Sequence, residues 1–350
     1  MTQATRSALM SVATTLAANI DATQDYIPVA STANFSTSVV AEVETTNEVV
    51  SFSDISSNSI YPSTNLSSTP QSSGVTLTHN VTGISAPDGT DTVSYFVPTA
   101  ASGLHYARAS AGLSSPSTGG STLYTGSVFA KANGYNFVVV QLTSGTSGGG
   151  SRYAITVDLT NGTIGGFIDP ENVSNVSSTA TSVGNDWYRI TLTVSFDTAN
   201  SGPLATLYIV GAYSDNLSSV NPATSTNATP SFTGDGSSGV YVWGFQVEQA
   251  SAATTYLPTT SAALVGLTDV TRGANGTTAA SATSGDDIQQ LPYALLNVDM
   301  PVRLTGLSVS SDGTGAGRLT LCDKVGTHLC DVDIPDTKIF DLTFDGGILF

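Results

Sequence analysis

Alternating apolar and polar side chains run through most of this chain and predict β-strands. In 187–196 one face is apolar and carries Tyr188, Ile190, Leu192, Val194 and Phe196. The other face of that segment is polar, with Arg189, Thr191, Thr193 and Ser195. A period of two residues places one face on a core and the other toward solvent. The segment 204–213 is apolar on both faces, which indicates a central strand.

Further short strands are predicted where β-branched and aromatic residues lie between Gly, Asn, Asp and Ser turns. They are 75–81, 92–97, 104–109, 124–132, 137–142, 153–157 and 164–168. Asn133-Gly134 is a hairpin signal, so we expect the strands on either side of it to pair. Many short strands separated by such turns are typical of an all-β sandwich or jelly roll.

The stretch 240–258 is predicted to be the last strand of this sandwich, followed by its exit from the sheet. One face carries large apolar side chains, which we expect to point into the core with Trp243 enclosed: Tyr241, Trp243, Phe245 and Val247. The other face turns from apolar to polar along the strand: Val240, Val242, Gly244, Gln246 and Glu248. We therefore expect this strand to lie in the middle of a sheet.

Composition and pattern divide the chain into four parts. Residues 1–60 are predicted to form a short helix over 3–20, with Leu9, Val12, Leu16 and Ile20 on one stripe, and then an arm. That helix either packs on its own domain or inserts into a neighbouring subunit. Residues 61–258 are the predicted sandwich domain, and 259–290, rich in Ala, Thr, Ser and Gly, is a predicted linker. Residues 291–350 are predicted to form a small β domain with strands at 302–309, 318–322, 329–334 and 340–344.

Charge and hydropathy exclude several classes of partner. The net charge is -17, from 10 Lys and Arg against 27 Asp and Glu. This balance argues against binding of nucleic acid or of an anionic membrane surface, because both require basic residues. No apolar run approaches the roughly 20 residues that cross a bilayer. The N-terminal residues make a poor signal peptide, so we expect synthesis in a cytoplasm.

Several short motifs occur in the order used by one known module. They are Ala86-Pro87-Asp88-Gly89-Thr90, Gly103-Leu104-His105, 124–131, Asp186-Trp187-Tyr188-Arg189 and the segment from Trp243 to Pro258. Together they resemble a jelly-roll module, similar to carbohydrate-binding modules and concanavalin A-like lectins, that recurs in bacteriophage tail-fibre and other virion proteins. The resemblance covers roughly the middle half to two-thirds of the chain.

The resemblance implies an all-β jelly-roll sandwich in a structural surface protein of a bacteriophage virion, either a head decoration or a tail-fibre component. The implied partners are further copies of the chain, with a trimer expected, other virion proteins and host surface glycans. The implied location is the virion surface, with no enzyme activity and no cofactor, although a structural Ca²⁺ without assigned ligands is left open. The alternatives are a secreted carbohydrate-binding module and, third, a glycoside hydrolase or lyase.

Residues that could carry chemistry form no recognisable constellation. His79, His105 and His328 lie on different predicted elements, and we interpret all three as structural. A glycosidase needs two carboxylates across a cleft. Glu171 with Asp186 and Glu248 with Asp158 are candidate pairs, and their spacing in the sequence selects neither.

The last 60 residues contain an acidic group and both cysteines. Asp331, Asp333, Asp336 and Asp341 could hold a hard cation, or they form the solvent face of a hairpin, which we prefer. Alternation places Cys322 and Cys330 on different faces of that hairpin, which disfavours a disulfide.

Exposed aromatic rings are the usual means by which a lectin-like surface holds a sugar. Trp187 opens a strand directly after a turn, so we expect it to be partly exposed. Trp187, Tyr106 and Tyr135 are therefore the predicted glycan contacts, with Tyr153 as a further candidate. Trp243 is assigned to the core.

Overall fold

Strands account for nearly all the regular secondary structure in the computed structural model, so the all-β prediction is confirmed. The structure describes residues 13–33, 35–36, 39–46, 48–64, 71–110, 122–144, 151–171, 173–196, 206–213, 231–274, 277–290, 303–309, 317–322, 328–334 and 340–349. For 206–213 and for the strands after residue 302 the description covers the backbone only.

The chain forms two compact units. The sandwich unit is Asp54–Thr268, and the terminal unit combines Met1–Ser53 with Asp269–Phe350. The sandwich unit extends beyond the predicted 61–258 at both ends. The strands of the sandwich unit are β5 (Asp54–Asn58), β6 (Gln71–Ser73), β7 (Val75–Thr78), β8 (Ser94–Pro98), β9 (Ser102–Leu104), β10 (Tyr106–Ser110), β11 (Leu123–Asn133), β12 (Phe137–Ser144), β13 (Ser151–Asp158), β14 (Thr163–Glu171), β15 (Val173–Gly184), β16 (Trp187–Phe196), β17 (Thr206–Tyr213), β18 (Ser231–Thr233), β19 (Gly239–Glu248) and β20 (Leu264–Thr268). In the terminal unit they are β1 (Ala13–Thr15), β2 (Ile27–Val29), β3 (Val39–Val43), β4 (Glu48–Phe52), β21 (Asp287–Gln290), β22 (Arg303–Val309), β23 (Gly317–Cys322), β24 (His328–Ile334) and β25 (Phe340–Leu349).

Two six-stranded antiparallel sheets make up most of the sandwich unit. Sheet I has the order β14-β13-β12-β17-β10-β6, and sheet II has the order β15-β16-β11-β19-β8-β7. Short pairs, β18 with β9 and β5 with β20, complete the unit. The central position of β17, between β12 and β10, confirms the prediction made from its two apolar faces.

The core lies between the two sheets. Sheet I contributes Val138, Val140, Leu142, Tyr153, Ile155 and Val157, and sheet II contributes Val128, Ile190, Leu192, Val194, Phe196, Val242, Phe245 and Val247. The inward set of β16 matches the predicted alternation. Burial of these side chains stabilises the sandwich at roughly 25 cal/mol for each Å² of apolar surface removed from water.

The predicted hairpin at Asn133-Gly134 is wrong. β11 pairs with β16 and β19 in sheet II, whereas β12 pairs with β13 and β17 in sheet I. At Gly134, where φ is 93°, the chain crosses from one sheet to the other. A Cβ at this position would lie 2.7 Å from the side chain of Ser238, so the close crossing requires glycine.

A β-bulge in β19 reverses which of its residues face the core. The register pairs Ser127 with Gln246 but Phe129 with Trp243, so β19 contains one extra residue there. Gly244 adopts a φ of 65° at this point, as glycine does at the first position of a G1 bulge. Val240 and Val242 therefore face the core together with Phe245 and Val247. Tyr241 and Trp243 lie on the outer face, which corrects the prediction that they point between the sheets.

We expect Gly244→Ala to destabilise the protein more than Gly89→Ala. Both glycines have positive φ, so each substitution carries a cost of about 1–2 kcal/mol for the left-handed conformation. A Cβ at 244 would also lie 2.7 Å from the Phe129 ring, whereas one at 89 has nothing within 4 Å. This crowding should increase the loss of stability by about 1–3 kcal/mol for Gly244→Ala and not for Gly89→Ala. Urea unfolding of both variants measures the difference, and equal losses would contradict this account of the bulge.

The terminal unit corrects two further predictions. Ala13–Thr15 is strand β1, and Leu16 and Ile20 form isolated β-bridges, so the predicted helix does not include residues 13–20. The rest of that helix prediction lies outside the described residues. Strand β21 falls within the predicted linker 259–290, and it joins the sheet β1-β21-β3-β4. β3 and β4 lie where Val39-Val40 and 48–52 indicated strands.

The four strands after residue 302 lie close to their predicted positions. β22 pairs with β25 and β23 pairs with β24, both antiparallel. Cys330 is the register partner of Leu321, and Cys322 is that of His328. The side chains of the acidic group and of both cysteines lie outside the description, so the cation and disulfide expectations stay predictions.

A buried ion pair connects three segments of the terminal unit. Arg272 donates from Nε and Nη2 to the two carboxylate oxygens of Glu48, each at 2.8 Å. The backbone N–H groups of Gly273 and Ala280 donate to the same carboxylate, and Arg272 also donates to the carbonyl of Asp21. Burial alone would raise the pKa of Glu48, but the hydrogen bonds from Arg272, Ala280 and Gly273 outweigh it and lower that pKa. The two buried charges therefore neutralise each other and have hydrogen-bond partners, as a stable buried ion pair requires.

We expect Glu48→Gln to destabilise the terminal unit by about 3–5 kcal/mol at neutral pH, because Arg272 would keep a buried charge without its partner. Since the folded pKa of Glu48 is lowered, its contribution is complete above the ordinary value of 4.5 and is lost as the pH falls through the folded value. The difference in free energy of unfolding between wild type and variant, measured with urea, should therefore become smaller as the pH falls over that range. Exposed Glu44→Gln is the control, with a change of at most about 0.5 kcal/mol. A gap that stays constant with pH would contradict the assignment.

Candidate functional site

The outer face of sheet II carries side chains in rows, because residues directly opposite one another on adjacent antiparallel strands share a face. The rows are Tyr95–Tyr241–Lys131, Trp243–Phe129–Arg189, Gln246–Ser127–Thr191 and Glu248–Thr125–Thr193. The face thus changes from partly exposed tyrosine at one end, through buried aromatic rings, to buried polar groups at the other.

The aromatic row forms a second small core under a loop and the exit segment. Trp187, Trp243 and Phe129 pack with Ala86 and Val93, and Tyr256 lies 4.6 Å from Trp243 between ring centroids. Trp243 donates from Nε1 to Thr92 Oγ1 at 2.8 Å, and Trp187 donates from Nε1 to the carbonyl of Ser85 at 3.2 Å. Each indole therefore has the polar partner that a buried tryptophan needs.

Two of the three predicted glycan contacts, Trp187 and Tyr135, are buried. Trp187 is 1% exposed, so the expectation that it is partly exposed is wrong. Tyr135 is also buried, and its phenol oxygen accepts a hydrogen bond from the N–H of Asp235 at 3.3 Å. A sugar cannot stack on a ring that solvent does not reach. Tyr106, which is half-buried and adjoins the core residue Ala107, is the member of the predicted set with exposed surface.

The polar end of the face fastens the exit segment 249–258 to the sheet. Glu248 accepts hydrogen bonds from Gln246 Nε2 and from the N–H and hydroxyl of Thr254. Arg189 donates to the carbonyl of Thr254 at 2.6 Å and to Ser127 Oγ at 3.2 Å. Its guanidinium also lies 5.5 Å from the Phe129 ring centroid, within the range of a cation–π contact.

Burial shifts both charged groups toward their neutral forms. It raises the pKa of Glu248, against the hydrogen bonds from Thr254 and Gln246, which lower it. Burial likewise lowers the pKa of Arg189, although the negative charges of Glu248 and Asp54 act to raise it. Shifted pKa values of this kind occur at catalytic sites and also in structural networks. Because the hydrogen bonds of the Glu248 carboxylate come from Gln246 and from Thr254 in the exit segment, we assign this side chain a structural role.

The structure does not bring the carboxylates of either candidate pair into a catalytic arrangement among the described side chains. Glu248 is 1% exposed and fully engaged in these hydrogen bonds. Asp158 instead accepts hydrogen bonds from the backbone and hydroxyl of Thr160, in the turn before β14. Asp186 is exposed and lies 3.6 Å from Lys131, whereas the side chain of Glu171 lies outside the description.

His79 and His105, the histidines whose side chains the structure describes, contact hydroxyl or carbonyl groups. His105 is fully buried, and its ring nitrogens lie against the carbonyls of Gly74 and Phe232. His79 Nδ1 lies 2.9 Å from Ser94 Oγ. Within the described residues, no group of three or more His, Cys, Asp or Glu side chains could hold a metal ion.

The sequence pattern did not predict the exposed end of this face of sheet II. The rings of Tyr95 and Tyr241 lie 4.9 Å apart at 38°, and both are partly exposed. Tyr95 donates to the carbonyl of Ser237 at 2.8 Å, and Asn133 Nδ2 donates to Tyr241 Oη at 3.1 Å. We call Tyr95, Tyr241, Lys131 and Asn133 the tyrosine platform. The signal that could have revealed it is Gly244, since a glycine inside a strand pattern indicates a bulge.

Next to the platform, the loop 235–238 is held by its own carboxylate. Asp235 Oδ1 accepts hydrogen bonds from the N–H groups of Ser238 at 2.7 Å and of Ser237 at 2.8 Å. Hydrogen bonds from Ser238 and Ser237 lower the pKa of Asp235 to about 2. The carboxylate therefore stays ionised at neutral pH and adds a fixed negative charge near Tyr95.

We expect Glu248→Gln to be tolerated within about 1 kcal/mol at neutral pH, because an amide can keep an acceptor and donate to the Thr254 hydroxyl. A raised folded pKa means that the stabilising contribution is present below the ordinary value of 4.5 and is lost as the pH rises through the folded value. The variant should therefore unfold in urea with less dependence on pH over that range. Glu248→Ala, which leaves the donors of Thr254 and Gln246 unsatisfied, should cost about 1–3 kcal/mol. Equal costs for the two variants would contradict this account.

No protein-family model matches the sequence, and no curated protein matches it. Within the part of the chain that the structure describes, no helix has the length and apolar character needed to cross a membrane.

Proposed function

We propose that this chain is a structural surface protein of a bacteriophage virion, a head decoration or tail-fibre component. Its sandwich unit would be a jelly roll that is displayed outward and adheres to host glycans. Two observations support the fold part of the proposal: the order of the sequence motifs, and the packing of two six-stranded antiparallel sheets over one core.

The tyrosine platform carries the glycan part of the proposal. Two partly exposed rings on neighbouring strands, with centroids 4.9 Å apart, offer an apolar surface to the C–H groups of a sugar ring. The Asn133 amide lies beside the Tyr241 ring, and Asp235 is close enough to Tyr95 for its charge to act on that phenol. Lys131 is the register neighbour of Tyr241, but its ammonium group is turned toward Asn185 and Asp186. Hydrogen bonds hold the phenols of Tyr95 and Tyr241, so little rotamer entropy remains to be lost on binding.

The platform would serve a secreted carbohydrate-binding module equally well, and this is the alternative function. The two functions differ in where the chain is found, since only the first places it on a particle. Antibodies raised against the purified chain should label phage particles in electron microscopy if the virion proposal is correct. Absence of label from particles of a phage that encodes the chain would overturn it in favour of the alternative.

We expect Tyr241→Ala to weaken glycan binding about tenfold, which corresponds to the roughly 1.4 kcal/mol of one good aromatic contact. Calorimetric titration with purified bacterial surface polysaccharides measures the change, and circular dichroism checks the fold. Tyr61→Ala is the matched control, because Tyr61 is 41% exposed elsewhere in the same unit. Tyr106→Ala tests the contact predicted from the sequence against the platform. Binding that survives Tyr241→Ala but is lost with Tyr106→Ala would overturn the platform.

A further inference from the structure

Strand β15 is an edge of sheet II. Among the described strands it pairs only with β16, in a ladder that is regular from Ser177–Thr193 to Ser182–Tyr188. Its backbone therefore presents N–H and C=O groups along an open side. An edge of this kind is a template for pairing with another chain.

This edge lacks the features by which β proteins usually prevent such pairing. The segment 173–184 contains no charged residue and no proline, and it is long for an edge strand. Its register irregularities lie near the two ends, at 174–177 and 182–184, and the pairing between them is regular. Val176 and Val183, at those ends, are 37% and 43% exposed, unusually high for large apolar side chains in the described part of the chain.

A second copy of this chain is the occupant that the edge fits best. The protein carries a net charge of -17, so like charges would oppose self-association over most of its surface. The uncharged β15 avoids direct repulsion at the contact, and salt screens charges more than about 8–10 Å away.

The pattern of hydroxyl side chains is also self-complementary. Antiparallel pairing about a two-fold axis perpendicular to the sheet keeps each face on its own side. Centred on Thr179, it sets that residue against its own copy and sets Ser177 against Thr181. Hydroxyl pairs of this type already join neighbouring strands in sheet II, at 2.8 Å for Thr179 with Thr191 and for Thr125 with Thr193. A hydroxyl donates one hydrogen bond and accepts two, so the row from Thr191 through Thr179 can continue into a second copy.

We infer that two copies of the chain pair through β15 and join their second sheets into one continuous antiparallel sheet. This inference goes beyond the proposed function and bears on the self-association that the sequence resemblance implies. It also specifies a dimer contact, whereas the resemblance led us to expect a trimer. A two-fold contact of this kind is complete with two copies. It does not cover Tyr95 of the tyrosine platform, because β8, which carries Tyr95, lies four strands from β15 in sheet II.

The test compares the mass of the full-length chain in solution with that of two charge variants. Thr179→Lys/Thr181→Lys places like charges on both sides of the two-fold contact, at positions whose side chains are exposed. Ser261→Lys/Ala263→Lys makes the same charge change at exposed positions outside the edge. In sedimentation velocity we expect a dimer for wild type and for the control. The edge variant should show a dissociation constant at least about a hundredfold weaker.

Hydrogen exchange provides a readout that needs no variant. The amides of 177–182 should exchange more slowly as the wild-type concentration rises, while those of β7 should not change. A wild-type monomer at every concentration up to the solubility limit would overturn the inference, as would a trimer or an edge variant that still forms the dimer. Any of these results could accompany antibody labelling of particles, so failure of the inference is distinguishable from failure of the proposed function.

Discussion

The extra residue in β19 is the constraint on which the sandwich unit depends. This strand lies between β11 and β8 in the middle of sheet II, with one face on the main core and part of the other face in the second core. Gly244 shifts the alternation, and β19 thereby supplies Val240, Val242, Phe245 and Val247 to the main core while Trp243 anchors the second one. A regular strand could not do both with this sequence. The same shift leaves Tyr241 on the outer face and brings Glu248 under the exit segment.

Buried polar side chains lie at the ends of three strands, where they hydrogen-bond to neighbouring segments: Asn58 ends β5, Glu48 begins β4 and Glu248 ends β19. Asn58 is fully buried, and its amide donates to the carbonyls of Phe245 and Leu257 while its oxygen accepts from Ile60. Glu48 and Glu248 show how the partner decides the charge state of a buried carboxyl. Glu48 has a direct two-point contact with Arg272, and its pKa is lowered. Glu248 is bonded to neutral groups, and its pKa is raised.

Period-two patterning was sufficient to predict the fold class and most strands, because each strand buries one face whatever its neighbours are. It predicted the inward side chains of β16 and the central place of β17, and it located the strands after residue 302. It failed where long-range pairing or backbone geometry decides: β11 and β12 flank a turn signal but belong to different sheets, and Gly244 reverses the faces of β19. Trp187 looked exposed because the loop that covers it, around Ser85, is distant in sequence. The tyrosine platform depends on the same bulge, so the pattern alone could not place it.

The division of the terminal unit between the two ends of the chain has a consequence for biosynthesis. Every strand pairing of the two large sheets lies within residues 54–268, so this segment can finish folding while the ribosome is still adding later residues. In contrast, Ala13 finds its register partner at Gln289, and Glu48 finds its guanidinium at residue 272. β3 and β4 can pair with each other early, but β1 must wait for β21 through most of translation, and this loop closure is the slow, non-local step of folding.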